Sequence, residues 1–179
     1  PADYIIASTL ESLRNLGTES IDLQQLHVWD DSWTTAGDWQ RAIEHLKARG
    51  HVRAFGISIN RWEPENVLRA LETGLVDCVQ VVYNVFDQAP EDVLFPECRR
   101  RGIAVIARVP FDEGSLTGTL TPASTWPDGD WRNHYFTKEK LRATLQRVEP
   151  LKALAAEWDM TLPELALRFI LSNPAVTST

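Results

Sequence analysis

The sequence predicts an α/β fold in which helices cover a parallel β-sheet. Helix-like and strand-like segments alternate along the chain, and a new strand begins about every 25 to 30 residues, a spacing typical of βαβ units. The strand-like segments 79–82 and 103–107 are almost continuously apolar, as strands covered on both faces are. An open doubly wound sheet and a β/α barrel both fit this pattern, and repeated winding in one direction favours the barrel.

The first part of the chain predicts four helices and four strands in strict alternation. In chain order they are helix 4–16, strand 21–27, helix 38–50, strand 51–58, helix 63–74, strand 76–84, helix 89–102 and strand 102–110. Apolar residues recur three and four positions apart in the first helix, which ends at Gly17. We expect Asp38 to cap the second helix and Gly50 to end it. Pro64 and Gly74 mark the two ends of the third.

The remainder of the chain predicts a long loop, helices and one more strand. Residues 108–136 are rich in Gly, Pro, Ser and Thr, and a loop of this length in a compact α/β domain is usually functional. Thr137 is expected to cap a helix that Pro150 kinks or breaks. A last helix is predicted at 160–173, and residues 174–179 open a strand. Because the chain begins in a helix and ends in an opening strand, we expect a piece of a longer pattern.

Composition limits the classes of function. A chain of 179 residues that is 44% hydrophobic can bury a core, so one domain over residues 1–179 is expected. The net charge of −7 argues against nucleic-acid and membrane-surface partners, and no apolar run approaches the roughly 20 residues that span a bilayer. Cys78 and Cys98 are isolated, which predicts reduced thiols in a cytoplasmic protein. The histidines lack metal-type spacing, so no metal site is predicted.

Polar side chains lie in the carboxyl-terminal parts of the predicted strands or just beyond them. His27 and Ser58 are the last residues of the first two strands, Asn60 follows the second, Gln80 lies in the third and Arg108 in the fourth. Ligands of β/α barrels and open α/β sheets bind beyond the carboxyl ends of the strands. Histidine is also the side chain best suited to proton chemistry near neutral pH. Any one of these residues alone would fit a hydrogen-bonded strand end, but four such ends together predict a site.

Five stretches of the chain resemble the aldo-keto reductases, in the order and spacing of that family. They are SIDLQQLHVW, ARGHVRAFGISINRWEPEN, VDCVQVVYNVFDQ, RRRGIAVIARVPFDEGSLTG and LPELALRFILSNPAVTST. The resemblance covers nearly the whole chain. It implies a partial (β/α)8 TIM barrel with about five of the eight strands. It also implies that the full-length parent reduces aldehydes and ketones with NADPH.

The resemblance also implies roles for individual residues. His27 matches the active-site histidine, which orients and polarises the substrate carbonyl. Three residues match those that hold the nicotinamide carboxamide: Ser58, Asn60 and Gln80. Three more fall in the loop that wraps the cofactor pyrophosphate: Phe111, Gly114 and Leu116. For Gln80 the alternative is an amide satisfied by backbone, and for Gly114 it is an ordinary turn glycine. Trp29 and Trp33, which follow His27, are expected to line the pocket for a small carbonyl substrate.

The sequence departs from the family pattern in three places. Ile59 separates Ser58 from Asn60, whereas most members have Ser directly followed by Asn. Arg108 stands where many members stack an aromatic ring on the nicotinamide. A guanidinium can also stack on a planar ring, or Arg108 could pair with a phosphate or with Asp112. The aspartate, tyrosine and lysine of the catalytic tetrad have no counterpart in this sequence, nor has the segment that grips the 2′-phosphate of the adenosine.

Little or no reductase activity is therefore expected from this chain alone, because a developing alkoxide needs an acid to protonate it. Two alternatives remain open from the sequence. One is a catalytically inert β/α scaffold that forms a homodimer through exposed sheet edges. The other is a cofactor-binding remnant that holds the nicotinamide but performs no chemistry.

Overall fold

The computed structural model describes residues 1–60 and 62–179 and contains one parallel sheet. The four strands of this sheet lie in chain order. They are β1 (Ile21–Leu26), β2 (Val52–Ser58), β3 (Cys78–Val82) and β4 (Ala104–Arg108). Neighbouring strands are parallel throughout, which confirms the α/β class predicted from the alternation.

Seven α-helices occur in the described part of the chain. They are α1 (Ala2–Leu16), α2 (Asp38–Ala48), α3 (Leu68–Glu72), α4 (Leu94–Arg101), α5 (Arg132–Tyr135), α6 (Lys138–Glu157) and α7 (Leu162–Ser172). Gly17 ends α1 in the left-handed conformation, and the Thr137 side chain caps α6 by accepting from the backbone N–H of Lys140, both as predicted.

The last residues of the chain pair with the free edge of β4. The backbone N–H of Thr177 donates to the carbonyl of Val105 at 2.8 Å, and that of Ala107 donates to the carbonyl of Ser178 at 2.8 Å. Ile106 and Ser178 form a parallel bridge. Residues 174–179 therefore contribute the short fifth sheet segment that the sequence predicted.

The main hydrophobic core lies between one face of the sheet and the helices. Phe55 and Ile57 of β2 and Val79 and Val81 of β3 alternate toward this face and are fully buried. Each such side chain contributes about 1.5–3 kcal/mol by leaving water. Residues of α2, α3, α4 and α7 complete the same cluster. The strand residues in between point to the other face of the sheet, which we call the inner face. The inner face carries the polar side chains.

Gly56 lies in the middle of the inner face, where β2 passes between β1 and β3. It pairs with Gln25 on one side and with Cys78 on the other. A Cβ at this position would lie 3.0 Å from the carbonyl oxygen of Cys78 and 3.1 Å from Cγ of Gln25. Glycine fits here without a shift, whereas a side chain would force the neighbouring backbone or side chain to move by a few tenths of an ångström.

Several local expectations were wrong. Gly37, in the left-handed conformation, is the N-cap of α2, and Asp38 is its first residue, where it pairs with Arg41. The predicted helix 63–74 shortens to α3, because residues 64–67 form turns before it. Pro150 does not break its helix, because α6 continues through it and the flanking turns keep their backbone donors.

Two tryptophans next to helices are exposed. Trp62 is 75% and Trp158 62% exposed. Trp62 lies in the turns before α3, and Trp158 is the C-cap residue that ends α6, so neither is on a buried helix face.

Within the described residues, no helix combines the length and the apolar character needed to cross a membrane.

Replacing Gly56 by alanine is expected to destabilise the fold by about 1–3 kcal/mol, since the added methyl group meets a strand backbone that cannot move freely. Urea unfolding followed by circular dichroism measures the loss. The double variant Gly56→Ala, Gln25→Ala removes one of the two close contacts and should recover part of it. An unchanged unfolding midpoint for Gly56→Ala would contradict this account of the inner face.

The two cysteines are expected to resist thiol reagents in the native protein. Burial, with the charge of Asp77 adding to it, raises the pKa of Cys78 to about 11, and burial raises the pKa of Cys98 to about 12. Because both values are raised, the reactive thiolate is scarce at pH 8 and grows only as the pH approaches them. Ellman's reagent should label both thiols slowly in the folded chain and rapidly after unfolding. Ser8→Cys, exposed on α1, supplies the fast-reacting control; equally fast native labelling of Cys78 and Cys98 would contradict the prediction.

Candidate functional site

The carboxyl ends of the strands carry the predicted site residues along one edge of the sheet. His27 follows β1 directly and is exposed to solvent. The next residue, Val28, has φ of 61°, and Val109, which follows Arg108 at the end of β4, has φ of 60°. A β-branched residue in the left-handed region is strained by about 1–3 kcal/mol. The chain thus turns sharply just after both polar residues, and these turns fix where the strands end.

The loop after His27 is held by a long-range brace. Asp31 Oδ2 accepts the backbone N–H of Arg69 at 3.1 Å, and Oδ1 accepts that of Ala70 at 3.2 Å. In return, Asn66 Oδ1 accepts the backbone N–H of Asp31 at 2.8 Å. One carboxylate therefore satisfies donors in the first turn of α3 from a loop that is far away in sequence. The brace fixes the position at which the chain leaves His27.

The two predicted substrate-pocket tryptophans differ in exposure. Trp29 is 1% exposed, whereas Trp33 is 48% exposed, and their rings meet edge to face with centroids 5.7 Å apart. A second edge-to-face contact joins Trp29 to Trp39, 5.3 Å away. His27, Trp29 and Trp33 all border one cleft of about 250 Å³. The structure thus brings the three residues together, with Trp33 as the accessible ring and Trp29 supporting it from the core.

Ser58 and Gln80 are neighbours at the ends of β2 and β3. The two residues are directly paired in the register of the sheet, and Ser58 is 5% exposed. Gln80 Oε1 accepts a hydrogen bond at 3.0 Å from Nε2 of Gln25 on β1, across the gap at Gly56. Sequence reasoning missed Gln25. The position of Gln25 in the sequence could have identified it, because it lies two residues before His27 on the same face of the strand.

Ile59 has a structural explanation. Its backbone N–H donates to the carbonyl of Gln80 at 2.8 Å, so the pairing of β2 with β3 continues to this residue. The Ile59 side chain is buried in the main core. Because side chains alternate along an extended chain, Ser58 and Asn60 then lie on the same side. Asn60 Nδ2 donates to the carbonyl of Trp29 at 3.3 Å, which joins this end of β2 to the loop after β1.

Arg108 links the fourth strand end to the second. Its Nη2 donates to the carbonyl of Ile59 at 3.2 Å, and its side chain is half-buried.

The described residues contain no cluster of three or more His, Cys, Asp and Glu that could hold a metal ion.

The turn after β4 has an unusual backbone. Asp112 and Glu113 have φ of 42° and 56°, and Gly114 follows with φ of 105°. The carboxylate of Asp112 is buried and accepts from Ser115 Oγ at 2.8 Å and from the Tyr135 hydroxyl at 2.7 Å. The structure therefore ties the turn to α5, at the far end of the long loop, through a buried charged group.

The three residues predicted to wrap a pyrophosphate lie in this turn but play different parts. The carbonyl of Phe111 accepts the backbone N–H groups of Gly114 at 2.9 Å and Leu116 at 3.1 Å. Leu116 is fully buried in a second core cluster with Val148, and Phe111 packs against it. A Cβ on Gly114 would meet nothing within 4 Å, so its left-handed φ, and not a close neighbour, requires glycine in this structure.

The tyrosines near the sheet are engaged elsewhere. Tyr83 is buried, its hydroxyl donates to the Glu91 carboxylate, and it accepts from Asn173 Nδ2 at 3.1 Å. Burial, reinforced by the bond to Glu91, raises the pKa of Tyr83 to about 12. Tyr135 donates to Asp112, as above. Neither hydroxyl is held as a proton donor beside His27.

Comparison with known proteins adds a family match. A sequence model of the Aldo/keto reductase family matches residues 2–179. The chain is 31% identical over 171 residues to the NADH-specific methylglyoxal reductase of Escherichia coli K12, a match that covers 93% of this chain and 51% of that protein. It is 27% identical over 176 residues to the aldo-keto reductase yakc [NADP(+)] of Schizosaccharomyces pombe, covering 96% and 51%.

Solved structures give the same result. The glycerol dehydrogenase AKR11B4 from Gluconobacter oxydans superposes with a TM-score of 0.86 at 27% identity, covering 99% of this chain and 54% of that one. The aldo-keto reductase AKR11C1 from Bacillus halodurans, in its holo form, gives a TM-score of 0.76 at 27% identity with the same coverage. The chain thus spans about half the length of the relatives that it matches.

Asp31→Ala is expected to destabilise the chain by about 2 kcal/mol, because two backbone donors of α3 lose their acceptor at once, together with the Thr34 hydroxyl and the Trp29 indole N–H. Asp30→Ala is the matched control: it removes the adjacent exposed carboxylate, whose one described acceptor role is the local cap on Ser32, and should cost less than about 1 kcal/mol. Chemical denaturation of both variants measures the difference. Equal losses would show that the long-range brace contributes nothing of its own.

Proposed function

The chain belongs to the aldo/keto reductase family, and on this premise we propose that the protein carrying it interconverts small carbonyl compounds and alcohols with a nicotinamide cofactor. One observation supports this most directly. Ser58 and Gln80 are paired at adjacent strand ends, at the same edge of the sheet as His27. An uncharged polar surface beside an ionisable imidazole suits a carboxamide-bearing cofactor next to a polar substrate.

The residues on the inner face fit the nicotinamide carboxamide. A carboxamide both donates and accepts hydrogen bonds, and so do the glutamine amide and the serine hydroxyl. Gln25 Oε1 is buried and has no hydrogen-bond partner among the described residues. Because buried polar groups are nearly always paired, such an acceptor is suited to a ligand donor. When bound, the nicotinamide ring would supply a hydride to a carbonyl carbon, or take one up in the reverse direction.

We assign the roles as follows. Ser58, Gln80 and, through its amide oxygen, Asn60 hold the carboxamide, while the half-buried guanidinium of Arg108 stacks on the ring. Three residues of the turn after β4 support the pyrophosphate: Phe111 and Leu116 by anchoring the turn in the second core cluster, and Gly114 by its left-handed conformation. His27 orients the substrate carbonyl in the cleft, where Trp33, backed by Trp29, limits the space.

The chain alone is proposed to have little reductase activity. Reduction of a carbonyl leaves an alkoxide that an acid must protonate. Tyr83 and Tyr135 each donate to a carboxylate, and Tyr4 lies exposed on α1. Among the described residues, the proposed roles of His27 and of the cofactor-binding residues are therefore not accompanied by a tyrosine acid.

NADPH is the cofactor we propose, and a cytoplasmic protein is the setting. The names of two relatives point to different cofactors, since one is NADH-specific and another is designated NADP(+). Arg108 lies among the proposed cofactor residues, and a cation there favours a phosphorylated ligand of either kind. The two free, buried cysteines fit a reducing compartment.

A self-associating scaffold is the second candidate. Over residues 1–60 and 62–179, β1 pairs with β2 on one side only, so its other edge offers backbone groups to a second copy. In that case the chain would dimerise and hold no cofactor.

Fluorescence titration of the 179-residue chain with NADPH and NADH tests the proposal. We expect saturable binding, with a Kd that rises about tenfold in Gln80→Ala through loss of one buried hydrogen-bonding group. Gln146→Ala, an exposed amide on α6, is the matched control.

Two outcomes of the titration would contradict the proposed cofactor binding. One is the absence of binding at millimolar cofactor; the other is an equal, small effect of the two substitutions. A dimer in sedimentation analysis without cofactor binding would instead support the scaffold.

A further inference from the structure

The side chain of Gln25 contacts one residue of the proposed cofactor site, Gln80. Its Nε2 donates to Oε1 of Gln80 at 3.0 Å, although 55 residues separate the two in sequence. Both residues are half-buried on the inner face of the sheet. The bond joins β1 to β3, which are not neighbours, because β2 lies between them.

Gly56 makes this contact possible. It is the β2 residue paired with Gln25, and a Cβ on it would lie 3.1 Å from Cγ of Gln25. Any other residue at 56 would therefore crowd the space through which the glutamine side chain crosses β2. The absence of a side chain at this position serves a hydrogen bond as well as strand packing.

The bond fixes which end of the Gln80 amide faces a ligand. An amide carries an acceptor oxygen at one end and a donor NH₂ group at the other. Since Gln25 donates to Oε1 of Gln80, the Nε2 of Gln80 is turned away from Gln25 and presented as a donor. The Oε1 of Gln25 is itself buried, and no partner for it occurs in the described part of the chain.

We propose that Gln25 is a positioning residue that sets the polarity of Gln80, so that Gln80 acts as a hydrogen-bond donor toward the cofactor carboxamide. The inference rests on the proposed function, because it takes the ligand of Gln80 to be a nicotinamide. Gln24, the adjacent residue, points to the opposite face of β1, and its Nε2 donates to the backbone carbonyl of Gln25 at 3.2 Å. The role therefore belongs to one of two neighbouring glutamines.

The substitution Gln25→Glu is expected to reverse which end of the Gln80 amide faces the ligand. A carboxylate only accepts, so Gln80 must turn its NH₂ group toward it and present Oε1 to the ligand. A carboxamide can rotate to offer its own NH₂ group to that oxygen. The acetyl group of the 3-acetylpyridine cofactor analogue has an acceptor and no donor, so it cannot.

The measurement is calorimetric titration of the protein, in its natural full length, with NADP⁺ and with its 3-acetylpyridine analogue across a pH series. For Gln25→Glu at alkaline pH, the Kd of the analogue divided by the Kd of NADP⁺ should rise about tenfold. It should return toward the wild-type ratio in acid, because a protonated carboxyl group regains an O–H donor for Gln80. Wild type and Gln24→Glu should show no such change with pH.

A double-mutant cycle supplies a second measurement with an uncharged variant. Gln25→Met keeps the bulk of the side chain and removes the hydrogen bond, so it should raise the Kd for NADP⁺ about fivefold. In the Gln80→Ala background the same change should have no further effect, since its action passes through Gln80.

The inference is overturned if Gln25→Glu discriminates between the two ligands no better than wild type at every pH. It is equally overturned if Gln25→Met weakens binding by the same factor in both backgrounds. If Gln80→Ala itself leaves NADP⁺ binding unchanged, the proposed cofactor site fails, which is a separate result from failure of the positioning role.

Discussion

The opposite chemistry of the two sheet faces is the constraint on which the rest of this structure depends. Alternation along each strand sends Phe55, Ile57, Val79 and Val81 into the helices, and this apolar contact holds the sheet in place. The residues in between are thereby committed to the inner face, whatever their polarity. A shift of register by one residue would turn Gln25 and Gln80 into the core and Phe55 and its apolar neighbours out of it, so packing of one face fixes the site on the other.

Local patterns predicted much of this arrangement. The strands, the ends of most helices and the polar residues at four strand ends follow from periodicity, glycine positions and the rule that ligands bind at carboxyl ends. Each of these signals lies within a few residues of the feature that it predicts. The cap on α6 by Thr137 is of the same kind, because a capping side chain and its donor are close in sequence.

Long-range contacts account for what the sequence did not reveal. The first turn of α3 donates to Asp31, which lies 38 and 39 residues away from its two donors. The importance of Gln25 depends on a side chain 55 residues away and on a gap at a third position. Pro150 shows the converse, since a residue that usually ends helices is tolerated once the surrounding turns are packed. Strand ends could thus be predicted, but the contacts between them could not.

The space left at Gly56 also has a consequence for how such sequences can change over time. A side chain gained at 56 meets Cγ of the glutamine at 25 as well as the carbonyl oxygen of Cys78, whereas the residue at 25 can change while 56 stays glycine. A lineage that shortens the residue at 25 first therefore meets one fewer close contact when it gains a side chain at 56. The two sites form an epistatic pair in which the order of substitutions matters.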